Sequence, residues 1–430
     1  MKKSVFWWEI AESLVPMRHG NFPKEVDFIV VGAGYTGLSA ALTIARKGRS
    51  VAVVDSKKPG LGASTRNGGI CSGNLRLSHG KISKKYGKAF ADAAYAEGIE
   101  ARLDLASFCE EENIECDFQL TGRFTGAMCA KDYEKQAEEV ERLGKVDGHN
   151  AHMIGRADQY GEIATDLFHG GMVREEIGGF HPAKFFAGLL RCVEAAGVII
   201  LPNTIVFDID HISKDKKAVI TSNGKITAGK VIVATNAYTS NKYPVGKFLK
   251  KRLVAAQSAI IVTEKLGIEQ VKTLMPGMRM YGNTANLYSY FRPTPDKERI
   301  LLGSRSFDKV EVQDRTIKYL QSKLSQVFPQ LSDCGIDFAW LGNVGFTRAQ
   351  LPAIFENNSI FYAAGYAGSG TVWARWLGKK VAETAMATAN RPSVFFGPPP
   401  KSIPFYDGNP WFLPAVQYAY SIKDWIKLNV

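Results

Sequence analysis

The chain has 430 residues, of which 45% are hydrophobic and 22% are charged, and its formal net charge is +12. This length favours two packed domains, and the composition is ordinary for a globular enzyme. No window approaches 18 uninterrupted apolar residues, which excludes a membrane-spanning helix. The positive charge permits an anionic partner, but the basic residues are dispersed and not interleaved with aromatic residues, so we expect no nucleic-acid partner.

The N-terminal segment is not a signal peptide, because Glu9 and Glu12 interrupt its apolar run. The six cysteines have neither C-x-x-C spacing nor the density of a disulfide scaffold, and no metal site is predicted. We therefore expect a cytoplasmic protein whose cysteines are reduced.

A dinucleotide-binding pattern begins with an apolar run at 26–31, which is typical of a buried strand. Gly32, Gly34 and Gly37 follow with the G-x-G-x-x-G spacing. The first glycine permits a tight turn, the second lets the backbone approach a pyrophosphate, and the third lets the next helix pack on the strand. That helix is predicted over 38–48, with its N-terminal amides directed at the anion.

A second strand is predicted over 50–54, and it ends at Asp55. A carboxylate at this place can accept a hydrogen bond from a ribose hydroxyl, and it argues against a 2′-phosphate. The segment therefore favours NAD or FAD over NADP.

The loop at 59–69 favours FAD over NAD, because it contains four glycines, two hydroxyl side chains, an arginine and an asparagine. A flavin enzyme needs such a loop, since the chain must pass along the pyrophosphate and ribityl and then under the isoalloxazine. A flexible surface loop is the alternative.

Helices are predicted over 84–113, 131–144 and 182–196, the last with a proline near its start and Gly197 after its end. Short strands follow, and they form a three-stranded meander and a return strand into a parallel sheet. Their predicted ranges are 204–212, 218–222, 225–227 and 230–234.

Residues 250–340 predict an antiparallel sheet, with strands at 252–263, 288–293 and 299–305. Strand alternation places Tyr288, Tyr290 and Arg292 on one face, which could line a substrate cavity above a flavin. The alternative is an exposed aromatic face on an edge strand.

The chain then returns to the nucleotide domain through a strand at 360–364, a glycine turn at 365–370 and a helix at 371–389. Three glycines before a helix make a second N-terminus that can accept an anion. The pyrimidine end of a flavin, which becomes negative on reduction, is a suitable ligand.

These motifs resemble the FAD-binding D-amino acid oxidase superfamily, and the likeness runs from Trp7-Trp8 to Trp425. Further motifs carry it toward the end of the chain, namely Trp340-x-Gly342, Phe346-Thr347, Leu351-Pro352 and Gly365-Tyr-x-Gly-x-Gly370, with Ser369 where the family has histidine. The resemblance implies an α/β (α+β) fold, in which a flavin-type, Rossmann-like dinucleotide-binding domain is joined to a substrate domain built on an antiparallel β-sheet. It implies a discontinuous FAD-binding domain at 24–95, 170–240 and 340–390, a substrate domain at 96–169 and 241–339, and an amphipathic tail at 391–430.

The resemblance also implies the FAD-binding residues, including Val206 beside the adenine. One of the six cysteines could carry a covalent flavin, although nothing local singles one out. The FAD-binding residues are Gly32, Ala33, Gly34, Tyr35, Thr36, Gly37, Asp55, Ser56, Lys57, Gly62, Ala63, Ser64, Thr65, Arg66, Asn67, Gly68, Gly69, Ile70, Val206, Thr235, Asn236, Gly342, Gly365, Gly368, Ser369, Gly370 and Thr371.

One departure concerns the substrate. Amino-acid oxidases of this superfamily carry W-x-G-L-R-P-x-T-x-D, in which the arginine clamps the substrate carboxylate. Val344 occupies the arginine position here and Ala349 the aspartate position, which disfavours a simple α-amino acid. Arg292 and Arg348 remain candidates for a more distant acidic group, and Tyr288, Tyr290 and Trp340 complete the predicted substrate residues.

The resemblance implies oxidation of a C–N bond in a primary or secondary amine, such as a γ-glutamyl amine, a polyamine or an N-substituted amino acid. Hydride passes to flavin N5, the imine hydrolyses to an aldehyde and an amine or ammonia, and O2 or another acceptor reoxidises the flavin. No catalytic residue is singled out. The alternatives are a D-amino acid or glycine dehydrogenase, an oxidase of a tRNA-borne amine, and a non-catalytic FAD-binding protein.

The segment at 411–428 is amphipathic and rich in aromatic residues. It predicts a helix that packs on its own domain or on a partner subunit, or one that lies on a membrane surface. The oligomeric state is left open.

The first testable prediction is that the purified protein is yellow, with flavin absorbance. Gly34→Val should abolish this absorbance, because a branched side chain blocks the approach of the pyrophosphate. The flavin content per protein, measured from the visible spectrum, checks it. Colourless wild-type protein that binds NAD would contradict the prediction.

Overall fold

The computed structural model describes residues 1–11, 21–146, 148–213, 215–306, 308 and 310–429. The helices are α1 (Tyr35–Ala45), α2 (His79–Tyr86), α3 (Lys88–Glu111), α4 (Ala130–Leu143), α5 (Pro182–Ala195), α6 (Pro244–Lys250), α7 (Ile268–Leu274), α8 (Asp314–Val327), α9 (Gly370–Met386) and α10 (Leu413–Asn429). The strands are β1 (Glu25–Val31), β2 (Val51–Val54), β3 (Ile70–Cys71), β4 (Arg123–Gly126), β5 (Ala151–Ile154), β6 (Gly171–Arg174), β7 (Gly178–Gly179), β8 (Ile199–Leu201), β9 (Val206–Ser213), β10 (Lys216–Thr221), β11 (Gly224–Val233), β12 (Leu253–Thr263), β13 (Met280–Asn283), β14 (Tyr290–Pro293), β15 (Ile300–Arg305), β16 (Ile336–Thr347), β17 (Ala353–Asn357) and β18 (Ile360–Ala364). Among the helices so described, none is both long and apolar enough to cross a membrane.

The first sheet has a parallel core with the strand order β18-β11-β1-β2-β8, and β17 pairs antiparallel with β18 at one edge. Its central strands are apolar on both faces. Val30 packs in one core with α1, α5 and α9, whereas Ile29 and Val31 pack in another core with the antiparallel meander β9-β10-β11. Helices therefore cover one face of the sheet and the meander covers the other, which is the predicted flavin-type arrangement.

The second sheet has the order β16-β12-β15-β14-β13-β4-β6-β5, and only the β13–β4 pair is parallel. Strand alternation decides what its two faces contact. Phe291 stacks on Tyr281, with ring centroids 5.4 Å apart, in a core that includes α8. Tyr290 and Arg292 lie on the opposite face, which is turned toward the first sheet's loops. The predicted fold class is confirmed.

Three predictions about the limits of helices and strands are wrong. The first helix begins at Tyr35 and not at residue 38. The strands predicted at 225–227 and 230–234 are one continuous strand, β11, because Ala228 and Lys230 both pair with β1 across Gly229. The helix predicted at 84–113 is two helices, since Gly87, with φ of +92°, ends α2.

The predicted helix near 182 and the strand at 360–364 are confirmed. Pro182 occupies the first turn of α5, and the Nδ1 atom of His181 accepts a hydrogen bond from the Lys184 amide at 3.2 Å. Proline and a capping side chain at a helix start are the expected arrangement.

Two strands that fall within the predicted FAD-binding ranges belong to the second sheet. β6 and the last residues of β16 lie within the ranges 170–240 and 340–390, which were assigned to FAD binding, but both strands pair in the second sheet. The remaining domain boundaries stay predictions.

The C-terminal helix α10 is held to the second-sheet domain by polar side chains. The carboxylate of Asp424 accepts hydrogen bonds from the amides of Asn286 and Leu287 at 2.7 and 2.8 Å, and Lys427 lies 2.9 Å from the Asp132 carboxylate. Trp411 and Tyr418 are 65% and 68% exposed. The helix is confirmed, and its contact with a membrane stays a prediction.

A second testable prediction concerns the contact between α1 and α9. A Cβ atom on Gly378 would lie 2.3 Å from the backbone oxygen of Thr36, so Gly378→Ala must push the two helices apart. Overpacking of this kind costs roughly 1–3 kcal/mol. We expect a lower urea midpoint for Gly378→Ala and no change for Gly161→Ala, where a Cβ atom has open space. Equal midpoints for both variants would contradict this packing.

Candidate flavin site and substrate cavity

A cavity of about 340 Å³ opens where β1, β2 and β11 end, and their last residues line it. Ligands of open parallel sheets bind at this edge. Sixteen of the predicted FAD-binding residues border this first cavity. They are Gly32, Gly34, Tyr35, Thr36, Asp55, Ser56, Gly62, Ala63, Ser64, Asn67, Val206, Thr235, Asn236, Gly368, Gly370 and Thr371.

Two helix N-termini meet this first cavity. Gly34 is the N-cap of α1, and Ser369, the N-cap of α9, makes no capping hydrogen bond with its side chain. The first amides of a helix have no partner within it, and the helix dipole adds positive potential there. The cavity therefore offers two anion-receptive ends, which suit the pyrophosphate and the pyrimidine edge of a flavin.

The glycine turn leaves a concave backbone surface that side chains on these glycines would fill. Gly32 has a φ of +107°, and a Cβ atom on it would lie 3.1 Å from the oxygen of Ala234. A Cβ atom on Gly34 would lie 3.0 Å from Ser64 Oγ, which accepts a hydrogen bond from the Tyr35 amide. A Cβ atom on Gly37 would lie 1.7 Å from the oxygen of Gly32. The turn therefore fits a group bound by backbone at close range.

Asp55 directly follows β2 and borders the first cavity. Its carboxylate accepts hydrogen bonds from the amides of Ala33 and Lys57 at 2.7 and 2.9 Å. Burial raises the pKa of Asp55, and the two amides partly offset this rise. Each carboxylate oxygen has a second lone pair, so Asp55 can still accept from a ribose hydroxyl.

Six predicted FAD-binding residues line neither cavity, and some of them support residues that do. Thr65 donates a hydrogen bond to the oxygen of Gly60 and accepts one from the Trp8 indole. The amide of Gly365 donates to the side-chain oxygen of Asn236 at 3.0 Å. The six are Ala33, Gly37, Lys57, Thr65, Gly69 and Gly365.

A second cavity of about 270 Å³ adjoins the first, because seven residues line both. These shared residues are Ala63, Asn67, Asn343, Val344, Ala367, Gly368 and Thr371. The predicted FAD-binding residues Arg66, Gly68, Ile70, Gly342 and Ser369 border only this second cavity.

Tyr288 and Tyr290 line the second cavity, as the strand alternation predicts. Their rings stack with centroids 6.1 Å apart. Tyr290 is wedged between two glycines, since Cβ atoms on Gly68 and Gly303 would lie 2.7 and 2.3 Å from its ring. Burial raises the pKa of Tyr290 to about 12, so the hydroxyl stays neutral.

Three predicted substrate residues do not reach the second cavity. The guanidinium of Arg292 donates to the backbone oxygens of Gly69 and Phe180 at 3.1 Å, so it braces two loops and lines neither cavity. Arg348 is exposed and lines neither cavity, so the structure gives no support to either arginine as a substrate residue. Trp340 is buried behind the wall, where its indole donates to the oxygen of Arg66.

Three other arginines, which were not predicted from the sequence, line the second cavity. They are Arg76, Arg123 and Arg305. The position of Arg305 could have been predicted from the pairing register of its hairpin. Pro293 pairs with Ile300 and Tyr290 with Gly303, so the same hairpin register places Arg305 opposite Tyr288. Arg76 and Arg123 come from a loop and from a short strand, β4, that carried no clear pattern.

The cysteines do not contribute to the lining of the two cavities. Cys71, Cys109 and Cys116 are buried, and none of the six cysteines of the chain, all of which lie in the described ranges, lines either cavity. No histidine within the described ranges lines them either.

The fold and the paired cavities define the architecture of a flavin-dependent oxidoreductase, with a nucleotide-binding sheet and a second sheet that lines the adjoining cavity. A family model described as FAD dependent oxidoreductase matches residues 27–384, and the chain belongs to this family. FAD is therefore its cofactor.

Its relatives cover nearly all of the chain. It is 30% identical over 430 residues to gamma-glutamylputrescine oxidoreductase of Escherichia coli (strain K12), covering 98% of each chain. The structure is similar to glycine oxidase from Geobacillus kaustophilus (TM-score 0.72, 18% identity, 85% of this chain and 96% of that chain). It is also similar to L-proline dehydrogenase from P. horikoshii (TM-score 0.71, 19% identity, 87% and 96%).

The placement of the cysteines leads to a third testable prediction, that FAD is bound without a covalent bond. Acid precipitation of the holoenzyme should release all the flavin into the supernatant, and a denaturing gel should show no fluorescent protein band. The hexa-substituted Cys→Ser protein would still bind flavin if it folds. Flavin that stays with the precipitated protein would contradict the prediction.

Proposed function

We propose that the enzyme oxidises a C–N bond of a small-molecule primary or secondary amine. A γ-glutamyl amine, a polyamine and an N-substituted amino acid are the candidate substrates. The observation that carries this proposal is the junction of the two cavities. Val344 borders both of them, so an apolar side chain lies where the arginine clamp of amino-acid oxidases would be.

FAD, held by the residues that line the first cavity, would supply a hydride acceptor for the carbon next to the substrate nitrogen, and the resulting imine would hydrolyse to an aldehyde and an amine or ammonia. This transfer requires the neutral amine, and the second cavity favours that form. Four arginines line it, and no Asp or Glu is among the described lining residues. Like charges lower the pKa of a bound ammonium, so the substrate nitrogen is driven to lose its proton.

The two stacked tyrosines orient the substrate and exclude water. Their rings form an apolar wall beside Ile260, while the hydroxyl of Tyr290 lies 3.4 Å from Ser258 Oγ. The wall is rigid because Gly68 and Gly303 hold the Tyr290 ring from both sides. At the junction itself, the N-terminus of α9 would stabilise negative charge on the reduced flavin.

The alternatives have less support. A D-amino acid or glycine dehydrogenase needs a carboxylate clamp beside the reacting carbon, where Val344 lies. A tRNA-borne amine would need an RNA-binding surface, and the sequence contains no such module. The similarity to a gamma-glutamylputrescine oxidoreductase over the whole chain favours a small amine substrate. O2 or another acceptor would complete the turnover.

An anaerobic screen of polyamines, γ-glutamyl amines, N-methyl amino acids and D-amino acids tests the proposal, with flavin bleaching as the signal. We expect glycine and D-alanine to have kcat/KM values about 10- to 100-fold below those of the best amine, because a charge-assisted carboxylate contact is missing. Efficient oxidation of D-alanine would contradict the assignment, and a flavin that no amine bleaches would exclude a catalytic role.

A further inference from the structure

The second cavity is cationic, and the three arginines that border only this cavity set its chemistry. Arg76, Arg123 and Arg305 line it together with Arg66. Arg66 is already engaged, because its guanidinium donates to the oxygens of Leu61 and Leu341 and lies over the Trp8 ring. The other three are available to a ligand.

Of these three arginines, Arg305 has the greatest need of an anionic partner. The side chain packs over the ring of Phe346, 4.9 Å from its centroid. The groups that act on its charge are Arg76, Tyr290 and Tyr288, and no carboxylate of the described residues is among them. Burial, and then repulsion from Arg76, lower the pKa of Arg305 to about 10. A partly buried cation without a counter-charge is costly, and an anion would relieve this cost.

Arg123 also borders the second cavity. One of its terminal nitrogens donates to the hydroxyl of Tyr288. Its Nε atom is buried and has no hydrogen-bond partner among the described residues. A planar guanidinium suits a carboxylate, which can accept two parallel hydrogen bonds.

The position of the arginines indicates where the anionic group of the substrate must be. None of the three borders the first cavity, whereas Val344 borders both. The charge therefore lies away from the junction at which the flavin and the substrate meet. An α-carboxylate, one bond from the reacting carbon, would lie beside Val344 and not beside Arg305.

We infer that the second cavity binds an amine whose carboxylate is separated by a spacer from the C–N bond that is oxidised, and that Arg305, Arg123 and Arg76 bind this carboxylate. The inference rests on the proposed function, and it selects among the candidate substrates. It favours a γ-glutamyl amine or a similar acidic amine. It excludes a free polyamine as the preferred substrate, because a dication would be repelled by unpaired arginines.

A pair of substrates that differ only in this charge tests the inference. N-Glutarylputrescine and N-pentanoylputrescine have the same amine, amide and length, and only the first ends in a carboxylate. We expect the wild-type kcat/KM to be about 10- to 100-fold higher for the glutaryl compound. Arg305→Met should remove this preference by lowering the value for the glutaryl compound alone. Arg348→Met, on the exposed surface, is the matched control and should leave both values unchanged.

Equal use of both compounds by the wild-type enzyme would overturn the inference. So would an equal loss for both compounds in Arg305→Met with normal flavin content, because Arg305 would then be structural. If Arg305→Met does not fold, Arg305→Lys replaces it and should retain part of the preference, since it keeps the charge but loses the planar fork.

A binding measurement separates this inference from the proposed function. Glutarate should perturb the absorbance of the bound flavin in the wild-type enzyme, and its Kd should rise about 10- to 100-fold in Arg305→Met. If neither putrescine derivative bleaches the flavin, this titration still decides on the carboxylate site, and the amine screen decides separately on the proposed function. Glutarate that binds equally to both proteins, or to neither, would overturn the inference.

Discussion

The contact between the start of α1 and the glycine turn before it is the constraint on which the cofactor site depends. The backbone of Gly37 lies so near the oxygen of Gly32 that a Cβ atom would be 1.7 Å away. This closeness lets the helix begin at Tyr35, directly at the carboxyl end of β1, with its free amides open to the cavity. Gly378 brings α9 against the same turn of α1, so both helix N-termini reach a single cavity.

The nucleotide-binding half could be predicted because its signals are local. Glycine spacing, an apolar strand and a following acid lie within about thirty residues, and each has one physical reason. The errors in this half came from glycines with more than one possible role. Gly87 has a positive φ and separates two helices, whereas Gly229 lies within a strand whose neighbouring residues both pair. Sequence alone does not distinguish these cases, since the partner strand decides between them.

The substrate half was harder to predict, because its side chains come together from distant segments. Alternation correctly placed Tyr290 and Arg292 on one face of β14, but it could not show that the loops at Gly69 and Phe180 cover Arg292 and leave Tyr290 open. Arg76, Arg123 and Arg305 lie far apart in the chain. Only Arg305 could have been found, by extending the register of the β14–β15 hairpin to Tyr288.

The uncompensated charge of Arg305 also has a practical consequence for enzymology. A cavity with unpaired guanidinium groups takes up small oxyanions from solution, and phosphate and sulfate form the same bidentate hydrogen bonds as a carboxylate. Such ions would act as competitive inhibitors whose effect depends on the identity of the anion and not only on ionic strength, because buried charges are poorly screened by salt. Apparent KM values for acidic amines are therefore comparable only between assays that share a buffer anion.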